Sequence, residues 1–156
     1  MKETVLETLE KSGLDAALIC FDELADKRQL VKLKVAFANE VKHLMPEASK
    51  SAFGVAERYA NGLATEEELN KASGTADAAW ADRKGAWIAT HEWVACTAAR
   101  VCAYATDAAR GVADAALAAL AVVWAADAAY ADDAAVRKER KAKQVEILKQ
   151  FLEDTE

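Results

Sequence analysis

The stretch AERYANGLATEEEL, Ala56 to Leu69, decides the fold, because it ends one helix and begins another within a few residues. Phe53, Ala56 and Ala60 recur at helical spacing and line one face of a short helix. Asn61-Gly62 then offers a left-handed stop, the conformation glycine reaches without a Cβ penalty. Thr65 can accept a hydrogen bond from the first turn of the next helix. Glu68, three residues on, can reach back to the Thr65 backbone, which completes a capping box. The acids of TEEEL also sit at the positive end of that helix's dipole. A helix–turn–helix over 46–84 follows from these residues alone.

Upstream, residues 1–45 read as two or three short helices. Val5, Leu6 and Leu9 mark the first, which Ser12-Gly13 stops. Leu14 to Leu24 is a second apolar run. Val31, Leu33, Val35, Phe37, Val41 and Leu44 mark a further helix, ended by Pro46, since the residue before a proline is pushed out of the helical region.

Downstream, the region 85–156 is predicted to hold long, alanine-rich antiparallel helices. No proline interrupts Thr75 to Glu153. One unbroken helix of that length would span roughly 120 Å at 1.5 Å per residue, too long for a domain of this size. Breaks are required, and Ser73-Gly74, Gly85 and Gly111 are the glycine candidates. A further turn near Ala131-Asp132-Asp133 would place aspartates to cap the last helix. Half of the positions between Ala98 and Ala135 are alanine, punctuated by Leu117, Leu120, Val122, Val123 and Trp124. That pattern suits a buried central helix pair whose small side chains admit close neighbours. Val145, Leu148 and Leu152 return the final helix to the core.

Composition agrees with an all-α single domain, a compact multi-helix bundle. Of 156 residues 38 are alanine, with one proline and six glycines. A β-protein needs turn residues far more often than that. The core energy must come from the few large residues, because alanine buries little area. The apolar run Ala115 to Ala126 is mostly alanine and flanked by Asp114 and Asp127, too short for the roughly 20 apolar residues of a membrane span. No secretory leader is read in MKETVLETLEKSGLD. Cys20, Cys96 and Cys102 show no CxxC spacing, which reads as reduced thiols of a cytoplasmic protein.

Catalytic and metal motifs fail on inspection. Glu40 and His43 form an E-x-x-H pair, but a di-iron bundle needs a second such pair, and Ile88 stands three residues before His91. His91-Glu92 begins a zinc-protease pattern that Ala95 breaks. His91 and Cys96 lie roughly 140° apart around a helix, so they do not form a nucleophile–base pair. No enzyme, metal or cofactor is implied.

The net charge of −6 argues against a nucleic-acid partner. The basic cluster Arg137 to Lys143 reads first as a solvated helix face with Asp133–Arg137 and Glu139–Lys143 pairs, and second as a phosphate-binding patch.

One pattern stands out when Asp77 to Asp114 is projected as a helix. Trp80, Trp87, His91, Val94 and Val101 fall within roughly 80° of one another, a core stripe. Glu92, Arg100, Asp107, Arg110 and Asp114 occupy the opposite side, with Cys96 among them and Trp93 and Tyr104 at its flanks. A charged stripe is ordinarily solvated surface, but aromatics beside alternating charges also compose protein-binding hot spots. Glu92, Trp93, Arg100, Tyr104, Asp107, Arg110 and Asp114 are the candidate protein-binding residues.

The segment Ala56 to Leu69 also resembles a group of small bacterial and phage proteins. They share an A-x-R-Y-x-x-G-x-A-T-x-E-E-L pattern followed by AA-x-AA runs, and some are labelled immunity proteins of toxin systems. The resemblance covers roughly Pro46 to Leu152. The ending EILKQFLEDTE departs from the arginine- and Gly-Asn-Pro-containing ending of that group. It implies a helical, non-enzymatic protein that inhibits by occluding a partner, either an immunity protein or a phage protein directed at host or defence components. An acidic inhibitor suits a basic target such as a nuclease. The alternatives are a self-associating structural helical protein, forming a homo-oligomer, and a nucleic-acid-binding module using 137–143.

Overall fold

The computed structural model describes residues 1–45, 47–83 and 134–155, and these form an all-α bundle. The elements are α1 (Lys2–Ser12), α2 (Leu14–Leu24), α3 (Lys27–Ala38), a 3-10 turn (Asn39–Leu44), α4 (Glu47–Ala60), α5 (Glu66–Arg83) and α6 (Ala134–Glu153). No helix among the described residues is long and apolar enough to cross a membrane.

Gly13 makes the first corner. It closes α1, its N–H donating to the Leu9 carbonyl, and its own carbonyl accepts the first bond of α2 from Ala17. Its backbone sits at φ 86° and ψ −176°, a region open in practice to glycine alone. The α2–α3 corner works differently. Asp26 caps α3 by accepting from the Gln29 N–H at 2.8 Å, while the Gln29 side chain accepts from the Asp26 N–H at 2.9 Å. This capping box uses Asp and Gln at the Ncap and N3 positions.

α3 is the most enclosed helix of the described residues. Val31, Leu33, Lys34, Val35, Phe37 and Ala38 are all buried, so more than one face is covered. Helices α4 and α6 pack against it. The run to Leu44 that reads as one helix divides in two, since α3 gives way to the 3-10 turn at Asn39. A short tightened turn of this kind is common at a helix C-terminus.

The core joins every described helix. Val5, Leu9, Leu14, Leu18 and Phe21 from α1 and α2 meet Leu33 and Phe37 of α3, Phe53 of α4, Leu69 of α5 and Leu148, Phe151 and Leu152 of α6 in one cluster. Phe21 and Phe151 meet edge to face, with centroids 5.6 Å apart, a favoured aromatic geometry. A separate contact of α4 with α5 consists of Ala52, Ala72 and Ala76, with Val55 alongside. Small side chains mediate that seam, in line with the composition.

The α4–α5 corner forms as its sequence dictates. Gly62 lies at φ 76°, its N–H donates to the Tyr59 carbonyl, and the Leu63 N–H donates to Arg58. This pair of bonds is a Schellman closure. The Thr65 N–H donates to Glu68 Oε2 at 2.7 Å and the Glu68 N–H to Thr65 Oγ1 at 3.2 Å. The expected break at Ser73-Gly74 does not occur: α5 runs through both to Arg83. An exposed glycine inside a helix costs only about 1 kcal/mol relative to alanine, and Ala72 and Ala76 on either side of Gly74 pack on α4. Gly85, Gly111, the 131–133 turn and the alanine-rich 98–135 segment lie outside the described residues.

Candidate functional site

Ion pairs that cross between elements set the frame around α3. Lys27 at its start pairs with Glu66 at the start of α5. Lys42 of the 3-10 turn donates to both oxygens of Glu57 on α4, at 2.8 and 2.9 Å, and lies over the Phe53 ring. Glu40 pairs with Lys143 of α6. The expected Glu139–Lys143 pair is therefore replaced by a bridge between helices, because Lys143 faces the 3-10 turn rather than its own preceding turn. The same bridge occupies Glu40, the acid of the E-x-x-H pair, while His43 is exposed. Among the described residues no group of three His, Cys, Asp or Glu side chains is arranged to hold a metal.

Within this frame α3, α4 and α6 enclose an open groove of about 800 Å³. Val35 and Ala36 of α3, Ala60 of α4, and Ile147 and Phe151 of α6 supply apolar lining. Lys32 and Arg58 supply cations; Glu40, Glu57 and Asp154 supply carboxylates. Two of those carboxylates are already neutralised, Glu57 by Lys42 and Glu40 by Lys143. Neither Lys32 nor Arg58 makes an ion pair among the described residues. Lys32 lies over the Phe151 ring at 5.8 Å, and Arg58 donates weakly to the Gly54 carbonyl at 3.4 Å.

Leu63 stands at the lip of this groove and is 74% exposed. In a Schellman closure the residue in this position commonly packs on the residue five before it. Here that residue is Arg58, itself exposed, so the leucine has no apolar partner within the motif. Leu63 thus adds exposed apolar surface to the rim of the groove. The turn that holds it is hydrogen-bonded on both sides, and the Thr65 N–H and then the Thr65 hydroxyl hold the Glu68 carboxyl below its ordinary range, with Arg58 adding to the effect.

The arrangement suits binding. It presents a mixed surface, in which a short apolar strip from Val35, Ala36, Ile147 and Phe151 lies among charged and amide side chains. The seven residues expected to bind protein, Glu92, Trp93, Arg100, Tyr104, Asp107, Arg110 and Asp114, lie outside the described residues, as do Cys96 and Cys102. Trp80 falls within α5. Cys20 carries a free, half-buried thiol. In the basic cluster Lys138, Lys141 and Lys143 are exposed on α6, with Glu139 among them.

Sequence reasoning missed the groove, although one signal was available. An apolar residue directly after Asn-Gly, with arginine at the position it should pack on, marks a leucine with no local partner. Lys32 and Phe151 gave no such sign, since their proximity depends on how α3 meets α6. No protein-family model, curated protein or solved structure matches the chain.

Proposed function

We propose that this protein is a non-enzymatic binding protein that inhibits a partner protein by covering part of its surface. The observation that carries this reading is Leu63, exposed at the lip of the α3–α4–α6 groove and held there by a doubly capped turn. Burying a leucine fully on docking is worth about 1.5–3 kcal/mol, enough to anchor a contact. The mechanism is steric and electrostatic, with no bond made or broken.

The resemblance of the Ala56–Leu69 segment supports an immunity-type or phage anti-defence role, exercised in the cytoplasm. A net charge of −6 favours a basic target such as a nuclease, because complementary fields speed encounter and suppress wrong partners. Glu92, Trp93 and Tyr104, with Arg100, Asp107, Arg110 and Asp114, form a second proposed contact face.

Affinity capture from the native host's lysate tests this, with Leu63→Asp and Trp93→Ala as separate controls. The expected result is one stoichiometric basic protein retained by the natural chain and lost with Leu63→Asp, whose thermal midpoint stays unchanged. Retention of the same protein by both variants would refute the assignment of these faces.

A further inference from the structure

Helix α6 is held to the bundle unevenly along its length. Leu148, Phe151 and Leu152 belong to the common core, and Lys32 of α3 lies over the Phe151 ring. Among the described residues the hold before Gln144 is slighter. Lys138, Glu139, Lys141, Ala142 and Lys143 are all exposed. Lys143 meets Glu40 of the 3-10 turn, in an ion pair whose side chains are 61% and 31% exposed, and pairs that open to water contribute little. The first turn of α6 also lacks an acidic residue to favour the helix start.

Gln144 stands at the boundary between the two halves. It is 4% exposed, and its Oε1 is buried without a hydrogen-bond partner among the described residues. Its row on the helix suits an apolar residue, since Leu148 and Leu152 follow at intervals of one turn and both are buried. A buried acceptor left unpaired works against the closed packing, because water bonds it as soon as the helix lifts. The glutamine therefore weakens the docking of α6 at the point where its anchored half ends.

We propose that the first half of α6, through Gln144, is a latch that opens locally by unwinding while Leu148, Phe151 and Leu152 stay docked. Opening breaks the Lys143–Glu40 bridge and brings Gln144 Oε1 to water. It also frees Glu40, which lines the α3–α4–α6 groove. The latch thus alters the charge and the width of the groove at its Glu40 end. It is a property of this chain alone and does not rest on the binding role proposed above. Segments held by few apolar contacts open in this way ahead of the rest of a fold.

Native-state amide hydrogen exchange of the full chain, followed residue by residue by NMR, tests it. The amides of Lys141 to Gln144 are expected to be protected at least about tenfold less than those of Phe151 and Leu152. High salt is expected to lower their protection further by screening the bridge. Glu40→Gln, which cuts the bridge from the other side, should lower it too and remove the response to salt. Gln144→Met keeps the length of the side chain and removes the unpaired oxygen. It is expected to raise protection of Lys141 to Gln144 about tenfold, and that of Leu33 to Phe37 in α3 by the same factor, because the side chain meets water in the local opening as it does in global unfolding.

The proposal is overturned if Lys141 to Gln144 are as protected as Phe151 and Leu152, since the two halves then open together. It is overturned equally if Gln144→Met protects α3 alone, which would leave Gln144 buried when the preceding residues open. A loss of protection in both regions with Gln144→Met would show that the amide is engaged in the closed state, and a salt response that survives in Glu40→Gln would take the bridge out of the latch.

Discussion

Helices α2 and α3 are neighbours of nearly equal length, yet their charged residues have opposite fates. On α3, Lys27 is paired with Glu66, Arg28 lies over Tyr59, Lys32 over Phe151, and Lys34 is buried and partnered. On α2, Asp15, Asp22 and Glu23 have no such engagement among the described residues, and Asp22 and Glu23 in its last turn oppose the helix dipole. Their caps differ as well. α3 starts from a reciprocal Asp26–Gln29 box, whereas α2 starts from Gly13 with no side-chain cap. The contrast teaches that, among the described residues, α3 is held through its charges as well as its apolar side, and α2 through its apolar side.

The sharpest way to break this comparison is to cut a large side chain from each helix. Phe37→Ala, in the buried part of α3, should lower unfolding free energy by about 3–5 kcal/mol in urea titrations. Ile19→Ala on α2 should change it by no more than about 0.5 kcal/mol. Comparable losses at both sites would mean that the outward face of α2 is structural.

The two caps give smaller and distinguishable effects. Gly13→Ala should cost about 1–3 kcal/mol, because no neighbour crowds the added Cβ but the positive φ strains it. Asp26→Ala should cost about 1 kcal/mol by removing one half of the box, and Asp26→Asn should restore most of it. Equal tolerance of alanine at both corners would show that the α2 corner is not set by glycine's backbone freedom.

The smallest expected effect is a pH dependence at the α5 cap. The Glu68 carboxyl is lowered chiefly by the Thr65 N–H, so its contribution is present above the ordinary glutamate range and is lost as pH falls through the lowered value. The gap in thermal midpoint between the natural chain and Glu68→Ala should therefore be open near neutrality and narrow on acidification. A gap that widened at low pH would assign Glu68 some role other than an ionised cap.

How much of this was legible in the sequence depends on how local each cause is. Asn61-Gly62 and Thr65–Glu68 act within one turn of chain, so the α4–α5 corner could be read from residue types alone. So could Gly13 as the stop of α1, and Leu14 and Leu24 as the limits of α2. The break expected at Ser73-Gly74 failed because glycine's helix penalty is only about 1 kcal/mol, while Ala72 and Ala76 on either side of it meet Ala52 of another helix, a contact that local sequence does not reveal. Asp26–Gln29 was as local as Thr65–Glu68 but lacked the commoner Ser/Thr–Glu pattern. The groove was illegible for a different reason: Lys32, Arg58, Leu63 and Phe151 come together only once α3, α4 and α6 have packed. Arg58 and Leu63 carried the one local hint.

The central claim is that the α3–α4–α6 groove is a docking surface rather than a part of the fold left unfilled. Amide chemical-shift mapping of the full chain, as a purified captured partner is added, tests it most directly. The account predicts shifts concentrated at Lys32, Val35, Ala36, Arg58, Leu63 and Phe151. Tight binding that left those amides unmoved and shifted α1 or the exposed side of α5 instead would contradict it.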